Sequence, residues 1–323
     1  MTKIFVTRPI PKIGIDMLQV KKYDVVVNEK AENRAATKEE LIAGAKGSDA
    51  ILSILTDKID SEVLDAGLPT LKIIANYAVG FDNVDIEAAR SRKIVVTNTP
   101  GVLTNTVAEH TFALMLSIAH RISEADRFSR AGRYHAWGPN MLLGTELSGK
   151  TLGIVGLGRI GSRVAYHAVR GFEMKVLYTD PKSNPEFEKE FGAQYVEKID
   201  DLLPHCDFVS IHVPLLDSTK HLINDARLRI MKRSAYLVNT SRGPIIDEKA
   251  LAVALSKSTI RGAALDVFEF EPEIVPELKE LDNVILTPHI ASATEETRNK
   301  MAEMAAQNII ETLEGRTPPN LIK

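Results

Sequence analysis

The chain has 323 residues, 44% hydrophobic and 26% charged, with a net charge of -3. This length exceeds what one hydrophobic core usually serves, so we predict two domains. The acidic balance argues against a nucleic-acid partner, which requires a basic face, and no apolar run approaches the roughly 18 residues of a membrane span. The one cysteine, Cys206, fits a reducing cytoplasm, and we expect it to be a buried small hydrophobe.

Short apolar runs alternate with helical stretches over the first hundred residues. Thr37 and Ser61 are candidate N-caps for two of the helices. Alternation of this kind predicts parallel strands joined by crossover helices. The expected strands are "KIFVTRP", "YDVVVN", "AILSIL", "LKIIAN" and "IVVTN".

One long helix is predicted from Thr104 to Ile122, because "TNTVAEHTFALMLSIAHRI" has helical periodicity. Its middle is apolar on more than one face, so it must be covered on all sides. A domain junction or a subunit interface would cover it. The polar segment from Ser129 to Ser148 is predicted to be a loop or short helices.

A second series of strands and helices follows and opens on a glycine motif. Gly156-Leu157-Gly158-Arg159-Ile160-Gly161 matches G-x-G-x-x-G between the strand "TLGIVG" and the helix "RIGSRVAYHAVRG". In this context the glycines allow a tight turn, close approach of a pyrophosphate and close helix–strand packing. The phosphates would lie at the helix N-terminus. We therefore predict dinucleotide binding.

The second strand of this series, "KVLYTD", ends at Asp180. An acid at this place hydrogen-bonds the adenosine ribose and repels a 2′-phosphate, which favours NAD over NADP. The alternative is a turn-forming aspartate before Pro181.

Three later strands end in residues suited to catalysis. Arg242 follows "AYLVNT", Glu271 follows "GAALDVF", and His289 follows "VILTP". Ligands of parallel sheets bind at this edge. A histidine paired with a carboxylate could protonate a carbonyl that accepts a hydride, and a guanidinium could hold a 2-oxo acid. Each also has a plain structural alternative: a strand cap, a solvated loop acid and a surface charge.

The segment "LDVFEFEP" carries three acids, Asp266, Glu269 and Glu271. If the strand continued, its alternation would place Glu269 and Glu271 on one face and Asp266 on the other. No role can be assigned to Glu269 from the sequence.

These motifs resemble those of the D-isomer-specific 2-hydroxyacid dehydrogenases, closest to the glyoxylate/hydroxypyruvate reductase branch. The resemblance covers essentially the whole chain. The matching segments are "NYAVGFDNVD", "TNTPGVLTNTVAEH", "GKTLGIVGLGRIG", "VNTSRGPIID", "GAALDVFEFEP" and "LTPHIASAT".

The resemblance implies a role for individual residues. Arg242, Glu271 and His289 match the family's catalytic residues, and Val79 and Gly80 match the loop that receives the substrate carboxylate. Asp266 matches a nicotinamide contact. Other positions matching the cofactor site are Thr106, Pro214, Thr240, Arg242 and His289. The family implies no metal.

The resemblance also implies an architecture of two doubly wound parallel-sheet domains with a cleft between them. Residues 1–100 and 288–323 would form a flavodoxin-like substrate-binding domain, and residues 101–287 a Rossmann NAD-binding domain. The 104–122 helix would belong to a homodimer contact of a cytoplasmic enzyme. Trp137 resembles a loop residue of the reductase branch that approaches a neighbouring subunit, although simple interface packing explains it equally well; Met141 replaces a second aromatic common in that branch.

The expected activity is NAD(H)-dependent reduction of a small 2-oxo acid, glyoxylate or hydroxypyruvate, to the D-2-hydroxy acid. D-Lactate dehydrogenase is the main alternative. Formate dehydrogenases carry glutamine where Glu271 stands, phosphite dehydrogenases carry lysine where Val79 stands, and phosphoglycerate dehydrogenases often have a further regulatory domain. The alternative from another class is an NAD(H)-sensing corepressor, which does not turn substrate over.

Overall fold

The computed structural model of the chain describes residues 1–32 and 34–322. The chain forms two compact units. The first combines Met1–Leu103 with Ala293–Lys323, and the second is the continuous segment Thr104–Ser292. The sequence placed the two crossing points at residues 100 and 288, a few residues before those of the structure.

The first unit contains a sheet of five parallel strands. Its strand order is β2-β1-β3-β4-β5, which is the flavodoxin-like order. The central strands β3 and β4 are almost wholly buried, whereas the edge strand β2 is partly exposed. This burial explains the near-continuous apolar runs that predicted the strands. The strands are β1 Lys3–Val6, β2 Asp24–Val27, β3 Ala50–Ile54, β4 Ile73–Tyr77 and β5 Val95–Thr97.

Of the two predicted caps in the first unit, one is confirmed and the other is wrong. Thr37 caps α2 in a reciprocal capping box with Glu40, as expected. The cap of α3 is Asp60 rather than Ser61, because the Asp60 carboxylate accepts the Val63 N–H. The helices are α1 Lys12–Val20, α2 Lys38–Ala45, α3 Ser61–Ala66, α4 Ile86–Ser91 and, from the second segment, α13 Glu295–Leu313.

The second unit contains a sheet of seven parallel strands in the order β12-β11-β10-β9-β6-β7-β8. This is the Rossmann order extended by one strand, which confirms the predicted fold class. The two-residue strand β8 was not predicted, since it is too short to have a periodic pattern. The strands are β6 Thr151–Val155, β7 Lys175–Thr179, β8 Gln194–Tyr195, β9 Phe208–Ile211, β10 Tyr236–Asn239, β11 Gly262–Leu265 and β12 Val284–Leu286.

Each face of this sheet carries its own hydrophobic core. Successive residues of β10 alternate between them: Tyr236 and Val238 lie in one core, and Leu237 lies in the other. The alternation follows from the two-residue period of a strand. The helices of this unit are α5 Thr104–Ala119, α6 Ile122–Arg130, α7 Arg159–Phe172, α8 Pro185–Phe191, α9 Ile199–Leu202, α10 Asp225–Ile230, α11 Glu248–Ser256 and α12 Pro276–Lys279.

The predicted helix from Thr104 to Ile122 is wrong in its extent. The helix α5 ends at Ala119, and Arg121 adopts the left-handed conformation (φ 58°), so that α6 starts in a new direction. The apolar residues of α5, among them Phe112 and Met115, are buried in the unit's own core. The covering that the sequence required is therefore supplied within the second unit.

Cys206 is fully buried, as predicted, and burial raises the pKa of its thiol to about 12.

Within residues 1–32 and 34–322, no helix has both the length and the hydropathy needed to cross a membrane. The same residues contain no group of three or more His, Cys, Asp or Glu side chains placed to hold a metal ion.

Gly153 in β6 tests the packing of the second unit. A Cβ atom there would lie 2.5 Å from Cys206 Sγ and 2.7 Å from Leu202 Cδ2. We expect Gly153→Ala to lower the free energy of unfolding by about 1–3 kcal/mol through overpacking. The matched control is Gly171→Ala in α7, where a Cβ atom would meet nothing within 4 Å. This change should raise the free energy of unfolding by about 0.5–1 kcal/mol. Urea denaturation of both variants measures the difference, and equal effects would contradict it.

Candidate active site

The glycine motif forms the turn between β6 and α7. Gly156 has a φ of +94°, and a Cβ atom on it would lie 2.8 Å from the carbonyl oxygen of His212. A Cβ atom on Gly161 would lie 2.0 Å from the carbonyl oxygen of Gly156. Both contacts are with backbone, which cannot yield as a flexible side chain could. Glycine is therefore required at both positions, for the turn and for the close approach of helix to strand.

The N-terminus of α7 is open. Gly158 is the N-cap and, within the described chain, no side chain caps the helix. A Cβ atom on Gly158 would meet nothing within 4 Å, so space is present beside the backbone. The first N–H groups of a helix have no intrahelical acceptor and carry its positive dipole end. Leu157, Arg159 and Ile160 thus belong to a turn that fits a phosphate group.

Asp180 lies at the end of β7, directly beside this turn. Its Oδ2 accepts a hydrogen bond of 2.8 Å from the N–H of Leu157. The carboxylate therefore fixes the glycine turn from the next strand. A groove of about 490 Å³ opens here, lined by Leu157, Asp180, Lys182, Ser183, Asn184, Pro185 and Glu186.

The other predicted cofactor residues lie in the same unit. Thr240 follows β10, and its Oγ1 is 3.1 Å from Oγ1 of Thr111 in α5. Thr106 lies in the first turn of α5. Pro214 follows β9, and its carbonyl oxygen accepts a hydrogen bond of 2.7 Å from Thr219 Oγ1.

Glu271 and His289 are in direct contact. Oε2 of Glu271 accepts a hydrogen bond of 2.9 Å from Nδ1 of His289, and Oε1 accepts one of 2.9 Å from the N–H of Phe268. The two side chains are 25% and 24% exposed, so solvent reaches the pair without separating it. Because the carboxylate binds Nδ1, Nε2 is the nitrogen left to exchange a proton with a ligand.

Asp266 is buried completely and binds the turn that carries the histidine. Its Oδ1 accepts from Thr287 Oγ1 at 2.7 Å and from the N–H of Ile290 at 2.9 Å, and its Oδ2 accepts from the N–H of Ala291 at 2.7 Å. His110 Nε2 lies 3.4 Å from Oδ1. Burial by itself raises the pKa of Asp266, but the hydrogen bonds from His110, Thr287 and the two N–H groups outweigh it, so the pKa lies below its ordinary value.

The predicted nicotinamide contact of Asp266 stays a prediction. The observed partners of its carboxylate are protein groups, and they give it a structural part that the sequence did not indicate. His110 belongs to this cluster and was not singled out as a site residue. Its position at the end of "TNTPGVLTNTVAEH", one of the segments that resemble the family, was the sequence feature that could have identified it.

Arg242 lies in the turn after β10. Its Nη1 donates to the carbonyl oxygen of Ser241 at 2.8 Å, and its own carbonyl oxygen accepts from Asn239 Nδ2 at 2.9 Å. The next residue, Gly243, touches the strand-end segment beside it, since a Cβ atom there would lie 1.8 Å from the carbonyl carbon of Phe268. The turn of Arg242 and the start of the segment that bears Glu271 are therefore neighbours.

Glu269 does not share a face with Glu271, and the period-two expectation is wrong. The strand β11 ends at Leu265, and the chain then turns, so alternation no longer applies. Oε1 of Glu269 lies 2.6 Å from Nε2 of His221, and Oε2 accepts from the N–H of Glu248 at 3.3 Å. Sequence reasoning missed both partners, because they come from distant parts of the chain.

Val79 and Gly80 belong to the first unit, in the loop after β4. The carbonyl oxygen of Val79 accepts from Asn98 Nδ2 at 2.7 Å, and that of Gly80 accepts from Asn76 Nδ2 at 3.0 Å. Among residues 1–32 and 34–322, no acceptor binds the N–H groups of Val79 or Gly80. The loop therefore presents two backbone donors held in place by asparagine side chains.

Trp137 lies in the segment after α6 and is 78% exposed. Tyr134 and Leu143 in the same segment are each 57% exposed. The segment contains turns but no helix between Ala131 and Ser148, as the sequence suggested for most of its length.

Comparison with known proteins identifies the family of the chain. Residues 112–291 match the family profile described as the NAD-binding domain of D-isomer specific 2-hydroxyacid dehydrogenases. A glyoxylate reductase of Korarchaeum cryptofilum is 50% identical over 324 residues, which cover 99% of this chain and 95% of that protein.

Solved structures give the same result. A protein from Thermus thermophilus has a TM-score of 0.93 and 41% identity, with all of both chains covered. The NADPH-dependent glyoxylate/hydroxypyruvate reductase of Sinorhizobium meliloti has a TM-score of 0.86 and 31% identity over 99% of this chain and 96% of that chain. The chain therefore belongs to the D-isomer specific 2-hydroxyacid dehydrogenases, the family whose NAD-binding domain it carries.

Proposed function

We propose that this chain reduces glyoxylate or hydroxypyruvate to the corresponding 2-hydroxy acid with NADH. The observation that carries the proposal is the contact of 2.9 Å between Glu271 and His289, in the unit that also holds the glycine turn. A relative that is 50% identical along almost its whole length is a glyoxylate reductase, which supports this choice of substrate.

His289 is the proposed acid. Reduction of a carbonyl adds a hydride to the carbon and a proton to the oxygen. The bound nicotinamide supplies the hydride. The imidazolium gives its Nε2 proton to the oxygen, and Glu271 stabilises the protonated ring and fixes its orientation through Nδ1.

Arg242 and the Val79–Gly80 loop are the proposed substrate-binding groups. The guanidinium of Arg242 offers a planar set of donors that matches a carboxylate or a 2-oxo group. Val79 and Gly80 offer two N–H groups whose carbonyl oxygens are already held by Asn98 and Asn76. Donors fixed in this way lose little freedom when they bind an anion.

The residues of the second unit fit a dinucleotide. The uncapped N-terminus of α7 and the open space beside Gly158 suit the pyrophosphate. Thr106, Pro214, Thr240 and Asp266 are the further residues proposed to line the cofactor.

Asp180 favours NAD as the cofactor. It places a carboxylate in the groove where an adenosine ribose would bind, and this charge repels a 2′-phosphate. Lys182 lines the same groove and would attract such a phosphate, so the preference depends on the balance of these two charges.

The substrate is tested with a panel of 2-oxo acids. Purified protein is mixed with NADH or NADPH and with glyoxylate, hydroxypyruvate, pyruvate or a phosphorylated 2-oxo acid, and cofactor oxidation is followed. The highest kcat/KM should belong to glyoxylate or hydroxypyruvate. A preference for pyruvate would instead identify a D-lactate dehydrogenase. Tight NADH binding without turnover of any substrate would support an NAD(H)-sensing corepressor.

A homodimer is proposed as the working assembly, with a contact in the 104–122 region. The observation in its favour is that four large apolar side chains at or after the end of this region are each more than half exposed: Ile122, Tyr134, Trp137 and Leu143. Aromatic side chains are enriched at protein interfaces.

His289→Gln is expected to lower kcat by roughly 10²–10⁴-fold, the usual contribution of a general acid. NADH binding, measured by fluorescence titration, should stay unchanged, because the glycine turn is untouched. His205→Gln is the control, since His205 is an exposed histidine of the same unit. Turnover within a factor of two of the parent (about the scatter expected of a neutral surface change) would reject His289 as the acid.

Glu271→Gln is expected to move the pH profile of reduction. The amide cannot stabilise a protonated imidazole as the carboxylate does, so activity should be lost at lower pH than in the parent enzyme. The measurement is kcat as a function of pH under saturating NADH, and an unmoved profile counts against the pair.

Asp180→Ala is expected to relax the cofactor preference. Losing a charged acceptor should lower the ratio of kcat/KM for NADH to that for NADPH by roughly tenfold or more. Glu190→Ala, an exposed acid of α8, is the control. If the ratio is the same in both variants and in the parent, Asp180 does not select the cofactor.

A further inference from the structure

The segment that bears Glu271 is held at both ends by one carboxylate. Glu248 is the first residue of α11 and only 2% exposed. Its Oε2 accepts from the N–H of Glu269 at 2.8 Å, and its Oε1 accepts from the N–H of Val275 at 3.3 Å. Burial raises the pKa of Glu248, and the two backbone hydrogen bonds oppose that rise. A single side chain therefore fixes the start and the end of residues 269–275.

Glu269 completes this arrangement from the segment itself. Its carboxylate is 11% exposed and lies between His221 Nε2, at 2.6 Å, and the N–H of Glu248, at 3.3 Å. Glu248 and Glu269 thus each accept the other's backbone N–H. This reciprocal pair joins the segment to the first turn of α11 in the manner of a long-range cap.

His221 connects the same carboxylate to the turn of Arg242. Its backbone N–H donates to the carbonyl oxygen of Pro244 at 2.8 Å. From the other side, Gly243 lies so close that a Cβ atom there would be 2.4 Å from the backbone nitrogen of Glu269. Glu269 therefore lies between His221, which follows β9, and Gly243, which follows β10.

We propose that Glu269 is a positioning residue for the reduction: held between His221 and the first turn of α11, it fixes residues 268–275 so that Glu271 meets His289. This inference rests on the proposed function, since it acts through the Glu271–His289 pair. Glu269 itself touches neither nitrogen of His289. Its effect on turnover passes through the placement of the Glu271 carboxylate, which is 2.9 Å from the histidine.

A double-mutant cycle tests the inference. The four proteins are the parent, Glu269→Ala, Glu271→Gln and the double variant, each measured for kcat, KM and the pH profile of kcat. Glu269→Ala should lower kcat about tenfold, within the range of coupling between contacting groups, and move the pH profile in the same direction as Glu271→Gln. KM for NADH should not change. In the Glu271→Gln background the Glu269→Ala change should have no further effect on kcat.

Three further variants make the cycle decisive. Glu269→Gln keeps the length of the side chain and should restore most of kcat, while His221→Gln should reproduce part of the loss. If Glu269→Ala does not fold, His221→Gln replaces it in the cycle. Glu273→Gln changes an exposed acid of the same segment and should behave as the parent.

The outcomes separate the two proposals. Losses that multiply independently in the double variant, or an unchanged kcat in Glu269→Ala, overturn the positioning role while the proposed function stands. An unchanged kcat and pH profile in Glu271→Gln overturns the catalytic pair itself, and the positioning role falls with it.

Discussion

The site depends on a buried negative charge, the carboxylate of Asp266. His289 has a left-handed backbone (φ 52°), a conformation that costs a residue other than glycine on the order of 1–3 kcal/mol. The N–H groups of the next two residues, Ile290 and Ala291, both donate to the Asp266 carboxylate. The N–H of His289 donates to the backbone carbonyl oxygen of Asp266 at 2.8 Å. These bonds offset the strain and point the imidazole at Glu271.

Other carboxylates near the carboxyl ends of the strands in the second sheet also accept backbone N–H groups of a neighbouring loop. Asp180 accepts the N–H of Leu157, and Glu248 accepts those of Glu269 and Val275. In each case a carboxylate from one element binds the main chain of a loop that follows another. A hydrogen bond to a charged group contributes about 1.5–3 kcal/mol, enough to hold a loop in one conformation. The acids near the strand ends therefore divide into Glu271, which we propose to be catalytic, and others that hold the loops around it.

The sequence predicted what depends on local patterns. Alternating apolar runs identified the five strands of the first sheet and most strands of the second, and the order of strand, glycines and helix located the turn at Gly156. The sequence did not predict features that depend on tertiary contacts. The break at Arg121 has no glycine or proline to mark it, and Glu269 has a partner 48 residues away in the chain, His221. Whether an acid catalyses or holds a loop depends on which N–H groups surround it, and those come from several elements.

The discontinuous first unit has a consequence for the order of folding during synthesis. Its sheet is complete at Thr97, but α13 packs on α1 so closely that a Cβ atom on Gly14 would lie 2.8 Å from the carbonyl oxygen of Ala302. Until Glu295–Leu313 leaves the ribosome, that apolar surface has no cover from α13. The second unit is one uninterrupted segment and meets no such delay. Domains generally fold as units in the order of synthesis; here the middle of the chain can reach its final structure before the beginning does.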